Sequence, residues 1–221
     1  MAKRSPQTVL VWDLPTRLFH WVLVALFATS IVTGKVGGNA ITYHMWSGYA
    51  ILTLLAFRIV WGFVGGRHAR FASFVRSPSA VIGYAKSLFW GQPITHLGHN
   101  PLGGWSVIAM LAALLLQTST GLFVDDEVAT QGPLNKYVSG ATASLLTTIH
   151  RLNAKVLFAL VALHVAAVLF YLFAKRENLV RPMIHGKRAW QGSAADGHAS
   201  ALRGAVILAI AAGLVYVLVT L

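Results

Sequence analysis

Two histidines, His150 and His164, bracket HRLNAKVLFALVALH, a segment otherwise apolar enough to lie in a bilayer. At about 100° per residue, their fourteen-residue spacing falls within roughly 40° of four full helical turns. Slight underwinding in a left-handed bundle closes that gap. Both imidazoles therefore share one helix face, about 21 Å apart along the axis. This places one histidine at each of two depths, and each needs a partner from another helix. Ionisable residues deep in a span are costly and usually functional. That argument bears hardest on His164, which lies well inside the apolar run.

The elements that carry these residues follow from composition. Of the 221 residues, 56% are hydrophobic and 11% charged. So few charges cannot clothe a soluble globule of this size, and an integral membrane protein is expected. Spans are predicted near Leu18–Val36, His44–Val64, Trp105–Val124, Ile149–Phe173 and Leu202–Leu221. At these lengths only helices satisfy their own backbone in lipid. Pro15 suits a first helical turn, and the first span is expected to be retained as an anchor. The segment 78–90 is too short to cross and is expected to lie along the interface. The fold class is all-α: an integral membrane four-helix bundle plus a fifth transmembrane helix, with residues 1–221 forming a single membrane domain.

The net charge of +12 reports topology rather than nucleic-acid binding, because the basic residues cluster between the apolar runs. Lys3, Arg4 and Arg17 precede the first span, and Arg67, Arg70, Arg76 and Lys86 follow the second. Lys175, Arg176, Arg181, Lys187, Arg188 and Arg203 follow the fourth. The opposite loops carry Lys35, Lys136 and the acidic run Asp125, Asp126, Glu127. The expected orientation has the N-terminus cytoplasmic and the C-terminus outside.

Alternating helix directions then match four histidines by depth. His44 and His150 fall at the outer level, and His20 and His164 toward the cytoplasm, with His20 somewhat the shallower of that pair. Two imidazoles facing each other across a gap are what a six-coordinate haem requires. With no cysteine in the chain, haem would be held without covalent attachment. Gly48, one turn after His44, would let a flat ring approach the backbone. The competing reading, interfacial or packing histidines, serves His44 and His150 better than His164.

Arg58 lies fourteen residues after His44 and so shares that face at the inner depth. A buried arginine needs an anion, and the predicted spans contain no acid. A haem propionate would serve. The alternative is snorkelling to the cytoplasmic edge. Arg17 at the inner level, and Arg151 and Lys155 at the outer, are propionate partners or interface anchors.

The motifs WDLPTRLFHW, HMWSGY, FRIVWGFVGGRHARF and GHNPLGG, with the paired histidines of HRLNAKVLFALVALH, together resemble the bacterial cytochrome b561 family. The likeness is strongest to its nickel-iron hydrogenase b-type cytochrome branch. The resemblance implies two haem b groups in a four-helix core, with His20, His44, His150 and His164 at the ligand positions. It also implies electron exchange with quinone. The partner it implies is either a hydrogenase subunit or a periplasmic c-type cytochrome. Some relatives instead act alone on quinone and small oxidants.

The acidic outer run either docks a basic redox protein or is a solvated loop. His68 and His99 would shuttle protons for quinone chemistry, or cap and pack, while His96 reads as a loop residue. Two other classes compete. A divalent-metal transporter would use the intramembrane histidines, although it lacks intramembrane carboxylates. A pure membrane anchor would carry its haems structurally.

Overall fold

Helix starts obey local capping chemistry. Asp13 accepts from the Thr16 amide at 2.8 Å and Pro15 occupies the first turn, so α1 runs Leu14–Val36, beginning before the predicted Leu18. Asn100 does the same for α5, Pro101–Gly121, accepting from the Gly103 amide at 2.7 Å. The computed structural model describes residues 7–90, 96–126, 130–191 and 194–221. The expectations placed on Lys3, Arg4 and Glu127 fall outside the described residues.

The remaining helices are α2 Ile41–Val64, α3 Phe71–Phe74, α4 Pro78–Trp90, α6 Gly140–Phe173, α7 Val180–His185 and α8 Ala201–Thr220. Among the described residues, α1, α2, α5, α6 and α8 are long and apolar enough to cross a membrane, so the chain is a multi-pass membrane protein. Ser139 caps α6 well ahead of the apolar run that begins near Ile149. At 34 residues, about 51 Å, this helix exceeds the roughly 30 Å hydrocarbon thickness and projects beyond it.

Gly37 and Gly38, at φ 67° and 52°, turn α1 back onto α2. Only glycine takes this left-handed backbone at no steric cost. α2 is the hub, packing against α1, α5 and α8. Its Leu55, Phe57 and Trp61 are 1%, 3% and 0% exposed. Among the described residues, α6 packs its backbone most closely on α5, and its Leu157 joins Ile51 and Leu55 of α2 in one apolar cluster. Large apolar side chains such as Leu163 and Leu202 remain exposed. In water they would invite aggregation, whereas in lipid they match their solvent.

The basic end carries a feature that hydropathy did not predict. β1, Gln7–Leu10, pairs antiparallel with β2, Lys187–Trp190, in the register Gln7↔Trp190 and Leu10↔Lys187. Gly197 N–H donates to the Leu10 carbonyl at 2.6 Å, and the Leu10 amide donates to Asp196 Oδ1 at 2.8 Å. Arg188 pairs with Glu177 at 2.7 Å and donates to the His96 carbonyl. These segments form a cap across the bundle end where α1 begins.

Candidate functional site

α6 brings its two histidines to two different helices. The rings of His20 and His164 lie 6.5 Å apart, centroid to centroid, inclined at 55°. Those of His44 and His150 lie 6.2 Å apart, at 80°. An imidazole nitrogen binds a transition metal at about 2 Å. Two such bonds plus two half-ring widths require about 6 Å between centroids, so each gap accepts one metal and the thickness of a planar ring. His20, expected to lie the shallower, nonetheless meets His164 across the bundle. Between the pairs lies an apolar layer that includes Leu157, Leu114, Phe27 and Phe158.

At the pair near the acidic loops, the ring nitrogens are already sorted. His44 Nδ1 donates to the Ser30 carbonyl at 2.8 Å, and His150 Nδ1 donates to the Gln117 carbonyl at 2.9 Å. A carbonyl only accepts, so Nδ1 carries the proton and Nε2 keeps its lone pair for a metal. Thr120 Oγ1, which donates to the Leu116 carbonyl, sits 3.3 Å from His150 Nδ1. Glycine makes room for both rings. A Cβ on Gly34 would fall 2.8 Å from His44 Nδ1, and one on Gly121 would fall 3.1 Å from His150 Cε1. A Cβ on Gly48 would meet nothing within 4 Å, so the space beside it is open.

Several buried polar atoms at the basic end lack partners. His20 Nδ1, Arg17 Nε and Arg58 Nη1 are buried without a hydrogen bond. Arg58 is 3% exposed, which rules out snorkelling. Its Nη2 donates to the Ala69 carbonyl at 3.0 Å, and its guanidinium lies over Phe71. Arg17 Nη1 donates to the Ile184 carbonyl at 2.6 Å. Sequence reasoning missed one anion. Asp13, 2% exposed, accepts from Trp61 Nε1 and the Gly66 amide and lies within Coulombic reach of Arg58. It stands just ahead of α1, outside every predicted span. Orphaned donors at the same end of the bundle as the His20–His164 pair fit a porphyrin with acidic side groups.

Arg151 and Lys155 remain exposed on α6. His68 Nε2 donates to the Ala195 carbonyl at 3.2 Å. The His99 ring is wedged between Trp12, 4.7 Å away, and Phe74, 4.6 Å away. Burial, reinforced by Arg58, pushes its imidazole down to about 3, so it is neutral. Among the described residues, no group of three or more His, Asp or Glu is placed to hold a metal ion. Each pair offers two imidazole nitrogens, a donor set that suits a porphyrin better than a cage for a transported cation.

A family model described as prokaryotic cytochrome b561 matches residues 11–186, which leaves α8 outside the match. A "Probable Ni/Fe-hydrogenase B-type cytochrome subunit" of Rhizobium leguminosarum bv. viciae is 24% identical over 217 residues, covering 84% of this chain and 90% of the relative. A "Probable Ni/Fe-hydrogenase 1 B-type cytochrome subunit" of Escherichia coli K12 is 26% identical over 212 residues, covering 81% and 90%. A similarly named Rhodobacter capsulatus protein is 26% identical over 224 residues, covering 85% and 84%. No solved structure matches the chain.

Proposed function

We propose, for a chain that belongs to the prokaryotic cytochrome b561 family, that it is a b-type cytochrome carrying electrons across the bacterial inner membrane through two haems. Haem b at each histidine pair would supply reversible one-electron chemistry. His20 with His164, and His44 with His150, would hold these groups through their imidazole nitrogens. The observation that carries this reading is the pair of imidazole gaps, 6.5 and 6.2 Å, both built on one helix.

The chain's own residues do the rest. The Ser30 and Gln117 carbonyls hold the proton on Nδ1 and so orient Nε2 of His44 and His150. Arg17 and Arg58, with their unpartnered Nε and Nη1, would receive acidic side groups of a haem at the basic end, and Gly48 would line the slot at the other. Arg151 and Lys155 would serve the outer haem from the surface. The apolar layer between the pairs excludes water and ions while electrons cross.

The basic end faces the cytoplasm, by the excess of Lys and Arg in its loops. The naming of the relatives supports a nickel-iron hydrogenase subunit as the redox partner at the outer face, with a periplasmic c-type cytochrome as the other candidate. Quinone exchanges electrons at the opposite end. A pyridine haemochrome assay on the purified protein tests the reading. Two haem b per chain are expected, and a colourless protein with stoichiometric metal would return it to the transporter class.

A further inference from the structure

The two histidine pairs use the same residue type and share one helix, yet their surroundings differ in ways that act on an electron. At the outer pair both rings commit their Nδ1 proton to a hydrogen bond. His44 Nδ1 donates to the Ser30 carbonyl at 2.8 Å, and His150 Nδ1 to the Gln117 carbonyl at 2.9 Å. A bond of this kind makes the opposite ring nitrogen more basic. A more basic ligand pushes electron density onto a metal and favours its oxidised state.

Side chains hold both acceptors in place. Ser30 Oγ pairs with Ser47 Oγ of α2 at 2.5 Å, and Ser47 Oγ donates to the His44 carbonyl at 2.8 Å. Asn153 lies one turn after His150 on α6 and is buried. Its Nδ2 donates to Gln117 Oε1 at 2.8 Å and to the Ala113 carbonyl at 2.9 Å, clasping α6 to α5 beside the ligand.

The basic end has less of that support and more positive charge. His20 Nδ1 is buried with no hydrogen-bond partner, so its ring is the weaker electron donor. Arg17 and Arg58 stand at the same end with buried guanidinium nitrogens unpartnered. Asp13 lies within Coulombic reach of Arg58, but its oxygens already accept from Thr16, Trp61 and Gly66. Arg17, Arg58 and Asp13 together leave a net positive charge, and in a medium of low dielectric a cation favours the reduced state. At the outer end Arg151 lies within Coulombic reach of His150 but is exposed, so ions in solution screen it, and Asp125 and Asp126 share that end.

We propose that the two pairs are poised unequally. His20 with His164 form the more easily reduced site, while the Ser30 and Gln117 carbonyls hold the site of His44 and His150 toward the oxidised state. Ser47 and Asn153 act through those carbonyls as positioning residues. The proposal rests on the electron-conduit reading and gives the electron a resting place within it. In the exchange between sites, one centre is oxidised by one electron and the other reduced by one, with no proton moved and no ligand bond broken. At equilibrium a single shared electron occupies the basic-end site at least about ten times as often as the outer one, which is about 59 mV for a one-electron couple.

The test is a spectroelectrochemical titration of the full chain with its haems in lipid nanodiscs. Two one-electron waves are expected, at least that far apart, and a His44→Ala variant should retain the higher one. Retention of the lower wave, or coincident waves in the wild type, overturns the unequal poise and leaves the conduit standing. A wild-type protein holding fewer than two haems overturns the conduit itself. Asn153→Leu should raise the lower wave and leave the higher one in place, a split that general loosening would not give. A lower wave that stays put overturns the role of Asn153. A further readout needs no variant. The imidazole planes are inclined at 80° in the outer pair and 55° in the other, so their low-spin ferric signals in electron paramagnetic resonance differ in anisotropy. In half-reduced wild-type protein the surviving ferric signal should be that of the more nearly perpendicular pair, and survival of the other overturns the assignment.

Discussion

The imidazoles of His20 and His164 face each other across 6.5 Å on two helices whose backbones stay apart. Close packing is the norm for helices in a bundle. A separation of 6.5 Å between the two ring centroids matches two metal–nitrogen bonds set end to end with half a ring on either side. The same helix repeats the arrangement with His150, at the depth of His44.

Replacing His164 with Ala should remove one haem and leave the other. The spectrum of the retained haem should match that of the wild-type His44–His150 site. Loss of both haems, or of neither, in a haemochrome titration would break the assignment of one pair per haem.

Gly34→Val should produce the complementary loss. Its side chain would press on His44 Nδ1, where even a Cβ would come within 2.8 Å. The ring must then leave the Ser30 carbonyl, and the haem at that end should be lost. Haem content should fall by about half, and the residual spectrum should match that of a His44→Ala protein.

Arg58→Met should lower the midpoint potential of the haem at the basic end. A buried cation favours the electron-rich state, so its removal stabilises the oxidised one. The shift should be roughly 60 mV, or about 1.4 kcal/mol for one electron, read by spectroelectrochemical titration. The other haem should move far less, because it lies about 21 Å away along α6.

The cap should loosen in acid. The His99 imidazole titrates near 3 in the closed structure but near 6.5 once exposed. Between those values the open state binds a proton that the closed state does not, so stability falls as pH drops through 6.5 toward 3. The groups that disfavour its charge are Arg58, His164, His20 and His68. Hydrogen exchange of the amides in residues 96–100, followed from pH 7.5 to 5, should quicken in the wild-type protein relative to a His99→Gln variant. Parallel profiles would show that His99 does not govern the cap.

Much of this architecture could be read directly from the sequence. Hydropathy located the spans because lipid demands a continuous apolar run with an internally bonded backbone. Helical periodicity placed His150 and His164 on one face, and alternating span direction matched each to a partner by depth. Both arguments are local or depend only on direction, so they need no knowledge of packing. They also recognised Arg58 as a residue in search of an anion.

Tertiary structure decided what no local pattern encodes. β1 and β2 meet although nearly the whole chain separates them. Neither is amphipathic over enough residues to declare itself a strand. Asp13 became the buried neighbour of Arg58 because its carboxylate caps α1 and gathers Trp61 and Gly66 from the far end of α2. The Ser30 and Gln117 carbonyls were invisible in advance, since every residue has a carbonyl and only packing selects which one a histidine meets. The same holds for Gly34 and Gly121, where the missing side chain matters only because a ring from another helix occupies its space. Hydropathy and helical period set depth and face along a single helix; the distance between two side chains on different helices is a property of the packed whole.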